Sequence, residues 1–67
     1  MSRFFTVAIQ KEENWYVAKC VENGVASQGN TIDDAMDNLR EAVVLFYEDT
    51  QFPSLPRTFL TTLEVAI

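Results

Sequence analysis

The sequence predicts an α+β fold: three strands, one helix and a closing strand, with the helix covering one face of the sheet. Three observations carry that expectation. Up to Gln28 the chain falls into short strand-like runs separated by polar turns, alternating over Arg3–Gln10 and largely apolar on both faces over Trp15–Val21. A single stretch from Ile32 carries its apolar residues at helical spacing. Alternation then returns over Phe59–Val65, beyond the two prolines.

Each element follows from its residues. In Arg3–Gln10, Phe5, Val7 and Ile9 share one face and Phe4, Thr6, Ala8 and Gln10 the other, which predicts strand β1. Lys-Glu-Glu-Asn at 11–14 is a polar turn, and Trp15–Val21 resumes as β2, giving a hairpin. Glu22-Asn23-Gly24 turns the chain again, and Val25–Gln28 is a short β3 ended by Gly29-Asn30. Thr31 is the N-cap candidate, with Asp34 where a capping box would place Glu or Gln. Apolar residues at 32, 35, 36, 39, 42, 43 and 46 then mark helix α1, expected to run to about Glu48. Gln51–Arg57 holds Pro53 and Pro56 and reads as an extended connector. Phe59–Val65 is the expected β4.

The resulting β1-β2-β3-α-β4 order makes a two-layer domain over residues 1–67, with sheet order 3-2-1-4. In that arrangement β4 lies parallel to β1 after a right-handed crossover. One helix covers one sheet face, so the second face, which also bears apolar residues, calls for association.

Composition narrows the function classes. A 67-residue chain buries only about 60% of its unfolded surface and usually needs a disulfide, a metal or a partner. Cys20 is the lone cysteine and there is no histidine, which argues against an internal disulfide and a transition-metal site. No cofactor is expected. Association remains, as a homodimer or higher homo-oligomer, a heterologous partner, or both. Ten acidic against five basic side chains give a net charge of −5, which disfavours direct nucleic-acid binding and favours a basic protein partner. No apolar run reaches the length of a membrane span and no targeting signal is recognisable, so the expected compartment is the cytoplasm.

Catalytic constellations are not evident. There is no phosphate loop and no nucleophile set beside a base, and Cys20 reads as a small buried hydrophobe. The strand-helix-strand order resembles a truncated ribonuclease-H-like sheet, yet Arg3–Gln10 holds no carboxylate and Glu64 stands alone on the last strand. Two-metal nucleolysis needs converging acids, so an enzyme is not expected.

The helix is more informative. Asp33, Asp34, Asp37, Glu41 and Glu48 fall on one flank at 100° per residue. That flank reads either as a solvated face or as a docking stripe for a basic protein. Val44 and Leu45 interrupt it with apolar surface, while Trp15 and Tyr16 at the start of β2 read as core packing or as interface anchors. The candidate partner-binding residues are therefore Trp15, Tyr16, Asp33, Asp37, Glu41, Val44 and Glu48.

Several segments occur together in an order that carries a family likeness. Trp15-Tyr16-Val17-Ala18 leads to Ser27-Gln28-Gly29-Asn30-Thr31, then to a helix with Ala35, Asn38, Leu39, Glu41 and Ala42, then to the closing TTLEVAI. In this the chain resembles the HicB antitoxins of type II toxin–antitoxin systems, in a short single-domain form. The resemblance implies a partial ribonuclease-H-like fold without catalytic acids. It also implies a small basic HicA-like toxin as partner, an mRNA-cleaving protein blocked by direct contact. The chain departs from the family in having no helix-turn-helix or ribbon-helix-helix segment before Ile67, so no DNA-binding domain is expected. It also has Val21-Glu22-Asn23-Gly24 in place of the family's proline-bracketed loop, and Asn30 in place of an acid. The alternative to an antitoxin-like inhibitor is a structural module that only self-associates.

Overall fold

The computed structural model describes residues 2–48 and 57–67. Its strands are β1 (Val7–Lys11), β2 (Tyr16–Cys20) and β3 (Ala26–Gly29), followed by helix α1 (Ile32–Phe46). The sheet is antiparallel in the order β1-β2-β3, with Val7 opposite Cys20, Ile9 opposite Ala18, and Ala18 opposite Ser27. This register puts Val7, Ala18 and Cys20 on the helix-covered face, while Ala8, Val17, Lys19 and Ala26 face away.

Local chemistry explains the turns. The backbone N–H of Glu12 donates to Trp15 O at 2.8 Å, closing the first hairpin. At the second, Gly24 adopts φ +77°, a left-handed conformation open to glycine at little cost. Asn23 Oδ1 accepts from the Val25 N–H at 2.9 Å, and Gly24 N–H donates to Cys20 O at 2.9 Å. The helix begins as its sequence requires: Thr31 is extended and its hydroxyl accepts from the Asp34 N–H at 3.0 Å.

Helix and sheet approach closely because the contact residues are small. Ala18, Cys20, Ala35 and Leu39 form the buried cluster, with Phe5, Val7, Tyr16, Val25, Met36 and Val43 packed against it. A Cβ on Gly29 would collide with the Ala35 backbone nitrogen and stand 2.7 Å from Asp34 Cβ, so this crossing requires glycine. Asn38 Nδ2 donates to Gln28 O at 2.8 Å and ties the helix to the end of β3. Tyr47 closes the other end: it stacks on Phe5 at 5.9 Å, and its hydroxyl accepts from Asn23 Nδ2 at 3.2 Å.

Three expectations are corrected. The predicted fourth strand is absent: among the described residues the sheet has three strands, and residues 57–67 hold no regular structure. With it go the 3-2-1-4 order, the parallel crossover and the ribonuclease-H-like sheet. Alternation in Phe59–Val65 equips a segment to lie on an apolar surface, but a strand exists only within a hydrogen-bonded ladder, and β1 pairs with β2 alone. The helix stops at Phe46 rather than Glu48, with the N–H of Glu48 turning back to Leu45 O at 3.2 Å. Its apolar stripe is also narrower, since Ile32 and Phe46 are about half exposed, 46% and 51%. Most of the expected proline connector, 51–56, lies outside the described residues.

Glu22 clasps the start of β1 to later chain. Its carboxylate accepts from the Thr6 N–H at 2.8 Å, while Thr6 O accepts from Val21 N–H at 2.8 Å. Hydrogen bonds from Thr6, joined by the Thr58 hydroxyl, hold the Glu22 carboxyl at about 2, well below its ordinary 4.5.

Candidate functional site

The region best equipped to meet a partner is a recess at the junction of β3 and the start of α1. It has a volume of about 390 Å³ and is lined by Trp15, Gln28, Gly29, Asn30, Asp34, Asp37 and Asn38. Every contributor has a structural reason for its place. Gly29 lets the helix approach, the Thr31 cap starts it at Ile32, and within the first two turns Asp34, Asp37 and Asn38 come over the end of β3. Trp15, immediately before β2, forms another wall and is 39% exposed.

The electrostatics are one-sided. Within α1 four acids, Asp33, Asp34, Asp37 and Glu41, face one base, Arg40. Arg40 reaches Asp37 at 3.2 Å, but both side chains are more than 70% exposed, so the pair is solvent-screened and available for exchange. An indole face beside carboxylates suits a lysine or arginine side chain, combining cation–π attraction with charge-assisted hydrogen bonds.

The residues expected to bind a partner are not gathered in one place. Trp15 and Asp37 meet in the recess. Asp33, Glu41 and Glu48 are exposed on or just beyond the helix without lining it. Tyr16 belongs to the periphery of the core, with Lys11 Nζ lying 6.0 Å from its ring centroid. Val44 is 63% exposed and lines a different, apolar groove between β1 and the helix. Sequence reasoning did not assign Gln28, Asn30 or Asn38 to a site. The Gly29-Asn30-Thr31 break was the available signal, since it marks where strand and helix ends must converge.

Among the described residues, no group of three or more His, Cys, Asp and Glu is placed to hold a metal ion. Cys20 is fully buried, 3.7 Å from a Glu22 oxygen. No helix among the described residues is long and apolar enough to cross a membrane. A family model described as a family of unknown function, DUF7387, matches residues 6–64. No curated protein and no solved structure matches the chain.

Proposed function

Since the chain belongs to the DUF7387 family, whose function is unknown, we propose from its own surface that it is an inhibitory binding protein that neutralises a small basic RNA-cleaving toxin of the HicA type. The observation that carries this reading is the recess in which Trp15 stands beside Asp34 and Asp37. A basic partner that binds RNA must present lysine and arginine where phosphate docks. Carboxylates at those positions compete with the substrate and hasten encounter through long-range attraction. The net charge of −5 supports the same partner, as does the likeness to HicB antitoxins. The role is one of occupation, and no chemistry by this chain enters it. Its place of action on this reading is the cytoplasm, where such a toxin meets mRNA.

The test is co-expression and titration with a small basic HicA-type protein encoded beside this chain. Growth arrest by that protein alone, relieved by this chain, is expected. Reversing charge with Asp34→Lys and Asp37→Lys together should weaken binding at least roughly tenfold, with an unchanged far-UV spectrum and a reduced salt dependence. Absence of binding, or binding indifferent to both substitutions, overturns the proposal. The exposed apolar segment after Thr58 favours a second property, self-association.

A further inference from the structure

We propose that residues 57–67 of each chain act as an exchanged arm, seating in the apolar groove between β1 and α1 of a second copy to form a reciprocal dimer. This inference stands independently of the toxin reading. The chain carries both halves of such a contact and joins neither to the other. The groove, of about 390 Å³, is floored and walled by Phe5, Val7, Met36, Leu39, Val43 and Val44, with Arg40 also lining it. It exists because α1 packs mainly on β2 and β3 and covers the helix-side face of β1 only in part; Ile9, on the core side of the register, is 40% exposed. The arm supplies Phe59, Leu60, Leu63, Val65 and Ile67, each at least 60% exposed. It also brings Glu64, whose charge complements Arg40.

The exposed area, taken over the whole chain, is large enough for a second copy as the occupant. The chain exposes 5854 Å², whereas a folded monomer of 7.6 kDa exposes about 4,300 Å². The excess, on the order of 1,500 Å², exceeds the roughly 800 Å² that each partner contributes to a stable interface. The radius of gyration points the same way: 13.7 Å against about 11 Å for a compact chain of this length. The arm starts beside Thr58, whose hydroxyl contributes to the environment of the Glu22 carboxylate, and that carboxylate accepts from Thr6 N–H between Phe5 and Val7 of the groove. A two-fold interface needs that arrangement, because both copies present the same patch. The outer edge of β1, unpaired among the described residues, offers backbone groups to an extended arm as well.

Light scattering on the full chain at tens of micromolar should give twice the 7.6 kDa chain mass. Leu63→Asp should raise the dimer dissociation constant on the order of 100-fold while leaving the far-UV spectrum of the body intact. Exchange itself is read by mixing two samples. One is isotopically silent, with Cys20→Ala and a nitroxide on Thr62→Cys; the other is the unmodified chain labelled with nitrogen-15. Broadening of the Val7, Val43 and Val44 amides in the labelled chain is the expected result. A monomeric mass overturns the proposal, as does a dimer insensitive to Leu63→Asp. So does broadening confined to the spin-labelled chain when that chain is itself isotopically labelled, which places the arm in its own groove.

Discussion

Tyr16–Cys20 and Phe59–Val65 carry the same kind of message in sequence and meet opposite fates. Tyr16–Cys20 is largely apolar on both faces and Phe59–Val65 alternates, yet both read as strands and both offer an apolar face. In β2 that face lies beneath α1 and between two neighbouring strands, so Ala18 and Cys20 are fully buried. In the arm no element among the described residues lies over the face, and Phe59 and Leu63 remain 80% or more exposed. Alternation therefore measures a segment's capacity to lie on a surface. Whether a surface is offered depends on where the helix lands, and α1 lands on β2 and β3.

That contrast can be broken or sharpened by substitution. The largest effect belongs to the covered half: Leu39→Ala removes the bulkiest aliphatic side chain of the buried cluster and should cost about 2–5 kcal/mol in denaturant unfolding. Gly29→Ala should cost roughly 1–3 kcal/mol by pushing the helix off β3, and its unfolding midpoint should fall with little change in slope. The Glu22 clasp holds the start of β1 and should show in acid. Its carboxyl sits at about 2 when folded and 4.5 ordinarily, so its stabilisation is complete above about 4.5 and is lost as pH falls towards 2. Glu22→Gln should flatten stability across that window, and an unchanged pH profile would remove the clasp. Smallest of all, Leu60→Ala in the arm should alter the stability of the dilute monomer by no more than about 0.5 kcal/mol. A loss comparable with that of Leu39→Ala would mean that the arm belongs to the chain's own core.

Much of the body was legible because its signals are local. Thr31 caps, Asn23-Gly24 turns, and the 3.6-residue apolar period marks α1 to within two residues of its observed end. The candidate site was only half legible. Trp15 and Asp37, candidates from sequence, do line the recess, but Gln28, Asn30 and Asn38 become lining only when the helix start is laid over the end of β3. Tyr16 and Val44 were named with them and go elsewhere, one to the edge of the core and the other to the apolar groove. The fourth strand was misread for a related reason. Its pattern was present, and the ladder that a strand needs was not.

From the sequence alone came the caps, the turns, the helix period, the acidic balance and the want of a histidine, because each depends on neighbouring residues or on a count. The tertiary structure decided which strands the helix covers, that Gly29 must be glycine, and that Phe59–Val65 pairs with no strand among the described residues. Those outcomes turn on contacts between residues far apart in the chain, and only the packed arrangement holds that information.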